Sequence, residues 1–123
     1  MITHELKENI LHIKFEGNIV YEELFNLSTT FSEQLIDSNT LLLLYDLREC
    51  VLNFTVSDYA KISTMALRST RKYKSVKAAF IVTKPRMTAM LTIYSQLSKN
   101  NHTRRKVFST EDAAILWLQQ FNK

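Results

Sequence analysis

Glycine and proline each occur once in the 123 residues, as Gly17 and Pro85, and that scarcity is the first constraint on the fold. Sandwiches and barrels of many short strands need frequent turn residues, so the chain favours long helices alternating with strands. Cysteine also occurs once, as Cys50, which excludes an internal disulfide and fits a reducing compartment. No apolar run approaches the roughly 18 residues of a membrane span. The opening Met1-Ile2-Thr3-His4-Glu5 has an acid where a secretory signal carries cations. A cytoplasmic protein without a transmembrane segment is expected. His4, His12 and His102 have no metal-ligand spacing, and HExxH, CxxC and Gly-rich phosphate loops are all missing. No metal, no cofactor and no catalytic residue is therefore expected. His12 could approach Cys50, placed in a loop beyond a strand, but a packed cysteine is the commoner fate of a lone thiol.

What is present is enough apolar matter for one core. Hydrophobic residues make up 46% and charged residues 23%, which predicts a single domain over residues 1–123. The charges are unevenly placed. Residues 1–58 hold ten acids against three bases, and residues 59–110 hold twelve bases and no acid, within a net charge of +4. Such a division either attracts an anionic partner, nucleic acid or an anionic membrane surface, or interleaves in space as ordinary solvated faces.

Alternation on both sides of Glu8-Asn9 predicts an antiparallel hairpin, its second strand broken at Gly17-Asn18. Leu24, Leu27, Phe31 and Leu35 give a helix over Tyr21 to Ile36, with Glu22 and Glu23 favourably placed in its first turn. Leu41 to Leu47 is apolar at consecutive positions, which predicts a strand covered on both faces near the centre of a parallel sheet. Thr55 or Ser57 caps a second helix carrying Tyr59, Ile62, Ser63, Ala66 and Leu67. Lys77 to Val82 is a further buried strand. Pro85 opens a third helix with Met87, Met90, Leu91, Tyr94 and Leu97 inward. Arg105 to Ser109 forms the last strand, and Ser109 or Thr110 caps a final helix burying Ala113, Leu116, Trp117 and Phe121. The order is ββαβαβαβα, an α/β fold with a mostly parallel central sheet and an N-terminal antiparallel hairpin.

Three stretches carry a resemblance: Phe15 to Leu24 entering the first helix, Leu44-Tyr45-Asp46-Leu47-Arg48, and Val107 to Leu118 at the end. Together they resemble the SpoIIAA-like (STAS-like) superfamily, which includes anti-sigma-factor antagonists and many small uncharacterised bacterial proteins. The resemblance implies a non-enzymatic protein-binding or regulatory domain. Those antagonists carry an Asp-Leu-Ser-like strand end and then a helix start resembling Asp-Ser-Ser-Gly, whose serine a partner kinase phosphorylates. Asp46-Leu47-Arg48 matches the first element in two of three places, and Ser57 lies over the switch serine, with Val56 in place of the acid and no glycine following.

Asp46 and Arg48, two residues apart in a strand, share a face, and the carboxyl ends of parallel strands are where open α/β sheets bind ligands. Lys84 and Arg86 beyond the next strand, Phe54 before the second helix, and Thr55, Ser57, Ser109 and Thr110 at helix starts are placed on the same rim. The competing reading ties Asp46 to loop backbone and Arg48 to a neighbouring acid. Val51, Leu52 and Phe54 then form a loop that folds over the sheet or meets a protein partner or a second copy, as in a homodimer. Two alternatives stand beside protein binding. Met65, Met87 and Met90 could line a pocket of a small-molecule or lipid-binding carrier. The basic 61–106 segment, with Arg71, Lys72, Lys74, Arg104 and Arg105 and with Tyr73 free to stack, could bind nucleic acid or anionic lipid.

Overall fold

A computed structural model of the chain describes residues 1–33 and 39–121. Glu8 and Asn9 both take positive φ, 50° and 66°, the pair of left-handed residues that a two-residue hairpin turn needs. They join β1 (Ile2–Lys7) to β2 (Ile10–Ile19) in antiparallel register, with Ile2 opposite Phe15 and Lys7 opposite Ile10. The expected break at Gly17-Asn18 is absent. Gly17 takes φ +75° and stays within β2, opposite Cys50 of β3 (Thr40–Leu52).

The elements that follow are α1 (Tyr21–Glu33), β3, α2 (Val56–Ser69), β4 (Ser75–Ile81), α3 (Pro85–Leu97), β5 (Thr103–Phe108) and α4 (Glu111–Gln119). Strands β4 and β5 both start and stop slightly earlier than expected. The sheet runs in chain order, β1-β2-β3-β4-β5, parallel everywhere except at β1. The leucine run therefore threads the centre: Leu41, Leu42, Leu43 and Leu44 are all buried. Leu41 and Leu43 face a core shared with α1 and α3, whereas Leu42 and Leu44 face α4.

Strand β3 runs on beyond Leu47, because β2 also continues and pairs with it. Lys14 pairs with Asp46 but Glu16 pairs with Glu49, so β3 carries one extra residue there, a bulge. The bulge shifts the alternation. Leu43 and Leu47 before it, and Cys50 and Leu52 after it, all point into the same core. Cys50 and Val51 consequently belong to the strand and not to a loop.

Helix faces differ from expectation in three places. Helix α4 buries Ala114, Trp117 and Leu118, with Phe121 partly buried, and leaves Ala113 and Leu116 exposed. Six consecutive apolar residues, Ala113 to Leu118, had left that face undetermined by spacing. Leu97 is exposed in the last turn of α3, and Leu67 on α2 is exposed while Ser69 and Thr70 are buried. In α1 Leu27 and Phe31 are buried and Leu24 is partly so; Leu35 and Ile36 lie outside the described residues.

Candidate functional site

Pairing of β3 with β4 ends at Asp46, opposite Ile81, whereas pairing with β2 continues to Leu52. Asp46 thus stands at the carboxyl end of the β3–β4 pair although its own strand runs on. Its side chain meets that of Arg48. Arg48 Nε donates to Asp46 Oδ1 and Nη2 to Oδ2, both at 2.9 Å, and the Arg48 backbone N–H donates to Oδ1 at 3.2 Å. Hydrogen bonds from the guanidinium hold the Asp46 carboxyl below its usual range, against the opposing effect of burial. The same bonds raise Arg48, and Glu111 and Glu49 add to the effect. Two features of the competing reading are realised at once: Asp46 accepts a local backbone N–H, and the acid that pairs with Arg48 is Asp46 itself. The guanidinium side chain keeps 37% exposure and the aspartate 19%.

This pair lies on the α4 face of the sheet. Helix α4 packs chiefly on β3, β4 and β5, so the β1–β2 half of that face stays open. A shallow depression of about 300 Å³ results, lined by Glu5, His12, Lys14, Asp46 and Glu111 together with Ile13 and Leu44.

Thr55 is the N-cap of α2. Its N–H donates to Asp58 Oδ2 at 2.9 Å, and its Oγ1 lies 2.7 Å from Ser57 Oγ. Ser57 sits inside the first turn and is exposed. Lys84 is the N-cap of α3, and both it and Arg86 are exposed; among the described residues neither is joined to the Asp46–Arg48 pair by a hydrogen bond or ion pair. Lys84 follows the carboxyl end of β4 by three residues, which places its charge at the same end of the sheet. Phe54 turns inward instead of joining this rim. The expected residues therefore form two small clusters, Asp46 with Arg48 and Thr55 with Ser57, flanked by free-standing cations. Exposed apolar groups complete the edge: Val20 at 40%, Val51 at 50% and Val56 at 60%.

Cys50 is buried, its Sγ 3.5 Å from the Leu47 carbonyl oxygen, and burial pushes the thiol up to about 11. Such a thiol is a packing group and a poor nucleophile at neutral pH. Among the described residues no group of three or more His, Cys, Asp or Glu could hold a metal. No helix of the described residues is long and apolar enough to cross a membrane.

On the opposite face of the sheet, beneath α1, α2 and α3, lies a cavity of about 120 Å³. Leu43, Tyr45 and Ala78 form part of its floor, and Leu27, Met65 and Met90 part of its roof. Two of the three methionines singled out in the sequence line it, and Met87 is instead core filling.

The basic stretches lie at the amino ends of β4 and β5, away from Asp46. Arg104 packs over the rings of Trp117 and Phe121 at 6.0 and 5.9 Å, and Lys77 lies 4.9 Å from the Phe121 ring. Tyr73 is buried in the main core and is not a free stacking platform.

The SpoIIAA-like family model matches residues 10–119. The chain belongs to the SpoIIAA-like family. An uncharacterised protein of the DUF3478 family from Shewanella loihica PV-4, described as having a SpoIIAA-like fold, superposes with a TM-score of 0.65 at 16% identity, over 96% of this chain and 92% of that one. The anti-sigma factor antagonist SpoIIAA in its unphosphorylated form gives 0.60 at 13% identity, over 98% and 97%. An anti-sigma factor antagonist from Mycobacterium paratuberculosis gives 0.59 at 16%, over 97% and 93%. At these identities the solved structures establish the SpoIIAA-like fold alone. None of the curated proteins is a detectable relative.

Proposed function

We propose that this chain is a non-enzymatic regulatory domain that captures a protein partner at the carboxyl edge of its sheet. One observation carries the reading: Val20, Val51 and Val56 are 40 to 60% exposed where β2 and β3 finish and α2 begins. Apolar side chains grouped at one end of a sheet and bordered by fixed charges suit a protein contact. Arg48, oriented by Asp46, supplies a preset donor beside them, and Lys84 and Arg86 extend the positive border. Two of the structural relatives are anti-sigma factor antagonists by description, which supports a partner protein over a substrate. Ser57, an exposed hydroxyl in the first turn of α2, is the position where phosphate would alter this edge, because a helix amino terminus favours an anion. The test is partner capture by wild type, Arg48→Ala and Val51→Asp, each verified as folded by near-ultraviolet circular dichroism. Both substitutions should weaken capture, and equal recovery by all three forms contradicts the proposal. Sedimentation of the same proteins tells whether the partner is a second copy.

A second reading is favoured by the strand order. Because the sheet runs β1 to β5 in chain order, the acidic first half and the basic 59–110 segment lie toward opposite sides of the sheet and do not interleave strand by strand. The β4–α3–β5 side would then bind nucleic acid or anionic lipid by charge. Retention on a polyanion column should fall steeply with salt, and retention unchanged from low to high salt removes this reading.

A further inference from the structure

Among the described residues, one charged side chain lines the cavity beneath α1, α2 and α3, that of Arg105 in β5. Among the described residues no carboxylate lines the cavity and none forms an ion pair with Arg105. The guanidinium donates from Nη1 to the Ser98 carbonyl oxygen at 3.0 Å and lies 5.1 Å from the Tyr94 ring centroid. Arg105 borders the outer groove along β5 as well, so it stands between the cavity and solvent. Tyr45, stacked on Phe80 at 5.0 Å, brings a further hydroxyl-bearing ring to the lining. Elsewhere the described lining is mainly aliphatic and aromatic, with Tyr59, Ser28, Ser69, Thr70 and Thr103 adding hydroxyl groups.

We propose that this cavity binds a compact apolar monocarboxylate, an aromatic or short branched-acyl acid, with the hydrocarbon between Leu43, Ala78, Met65 and Met90 and the carboxylate on Arg105. Size sets the first half of that choice. An apolar cavity of about 150 Å³ accepts benzene, so about 120 Å³ walled partly by adaptable methionines suits a ring or a short branched chain, and a long acyl chain does not fit. Charge sets the second half. A guanidinium at the mouth of an apolar space, with no counter-charge among the described residues, favours an anion over an isosteric alcohol, since charge-assisted hydrogen bonds are about twice as strong as neutral ones. The site is separate from the Asp46–Arg48 pair, which occupies the other face of the sheet, and it stands or falls independently of partner capture.

Benzoate and benzyl alcohol are the discriminating probes, followed by methyl NMR of the wild-type chain and of Arg105→Met. Millimolar benzoate should shift the Met65 and Met90 methyl resonances saturably and bind roughly tenfold more tightly than benzyl alcohol. Arg105→Met should remove that preference while leaving benzyl alcohol affinity within about twofold. The wild-type titration decides the matter even if the variant fails to fold. Methyl resonances unmoved by either probe, equal affinity of wild type for the two, or unchanged benzoate affinity in folded Arg105→Met would each overturn the assignment.

Discussion

Replacing Arg48 by Met removes the two 2.9 Å side-chain bonds to Asp46 and leaves the 3.2 Å bond from the residue 48 backbone N–H. The carboxylate, 19% exposed in the intact pair, then keeps one donor where it had three. Exposed pairs couple by about 0.2 to 1 kcal/mol, and the bidentate geometry puts this one near the upper end, about 1 kcal/mol after allowing for solvent around the guanidinium. A domain stable by about 5 to 15 kcal/mol stays folded after that loss. The measurement is a double-mutant cycle with Arg48→Met and Asp46→Asn, read by urea unfolding. Its pH dependence has a fixed sign. Asp46 is lowered in the folded state, so the pair's contribution is complete above the unfolded aspartate value of about 3.9 and is lost as pH falls through the lower folded value. A coupling near zero at neutral pH, or one undiminished in strong acid, would refute the pairing as the source. A loss above about 3 kcal/mol from Arg48→Met alone would refute it too, since that is the cost of a fully buried orphaned charge.

Three further perturbations test the frame that holds the pair. Leu44→Ala, at a side chain 2% exposed in the central strand, should cost about 3 kcal/mol in urea unfolding, whereas a cost below about 1 would mean that β3 is not covered by α4. Gly17→Ala should cost about 1 kcal/mol from backbone strain alone, because φ is +75° and a Cβ there meets no atom within 4 Å; a neutral or stabilising result would deny the left-handed residue inside β2. Alkylation of Cys50 by iodoacetamide at pH 8 should be far slower in the folded chain than in urea, and equal rates would place the thiol at the surface.

The central strand was legible because burial on two faces leaves a mark that burial on one does not: four consecutive leucines have no polar alternation to orient them. The hairpin was legible for a local reason, the turn chemistry of Glu8-Asn9. The end of β3 was not. Asp46, Arg48 and Glu49 look like the approach to a loop, yet the strand keeps β2 as its neighbour and absorbs the polar residues through a bulge. A register shift depends on the partner strand, and one strand read alone carries no trace of it. The α4 face was ambiguous for the opposite reason, since an unbroken apolar run from Ala113 to Leu118 permits several faces, and only contact with Leu42, Leu44 and Ile81 selects Ala114, Trp117 and Leu118.

Charge shows where sequence and fold depend on each other most. A block of acids followed by a block of bases says nothing about space until the strand order is known, because crossovers that shuffled the strands would mix the two signs. Here spatial order repeats chain order, so the division persists across the sheet. Several of the cations on the basic side also have local work: Arg104 and Lys77 cover the rings of Trp117 and Phe121, and Arg105 bridges Ser98 and Tyr94. A long-range field and a set of packing contacts are thus built from the same side chains. Neutralising Arg104 or Lys77 would weaken α4 docking along with any polyanion binding, whereas exposed Lys99 has no cation–ring contact among the described residues, so its neutralisation reports on the field alone.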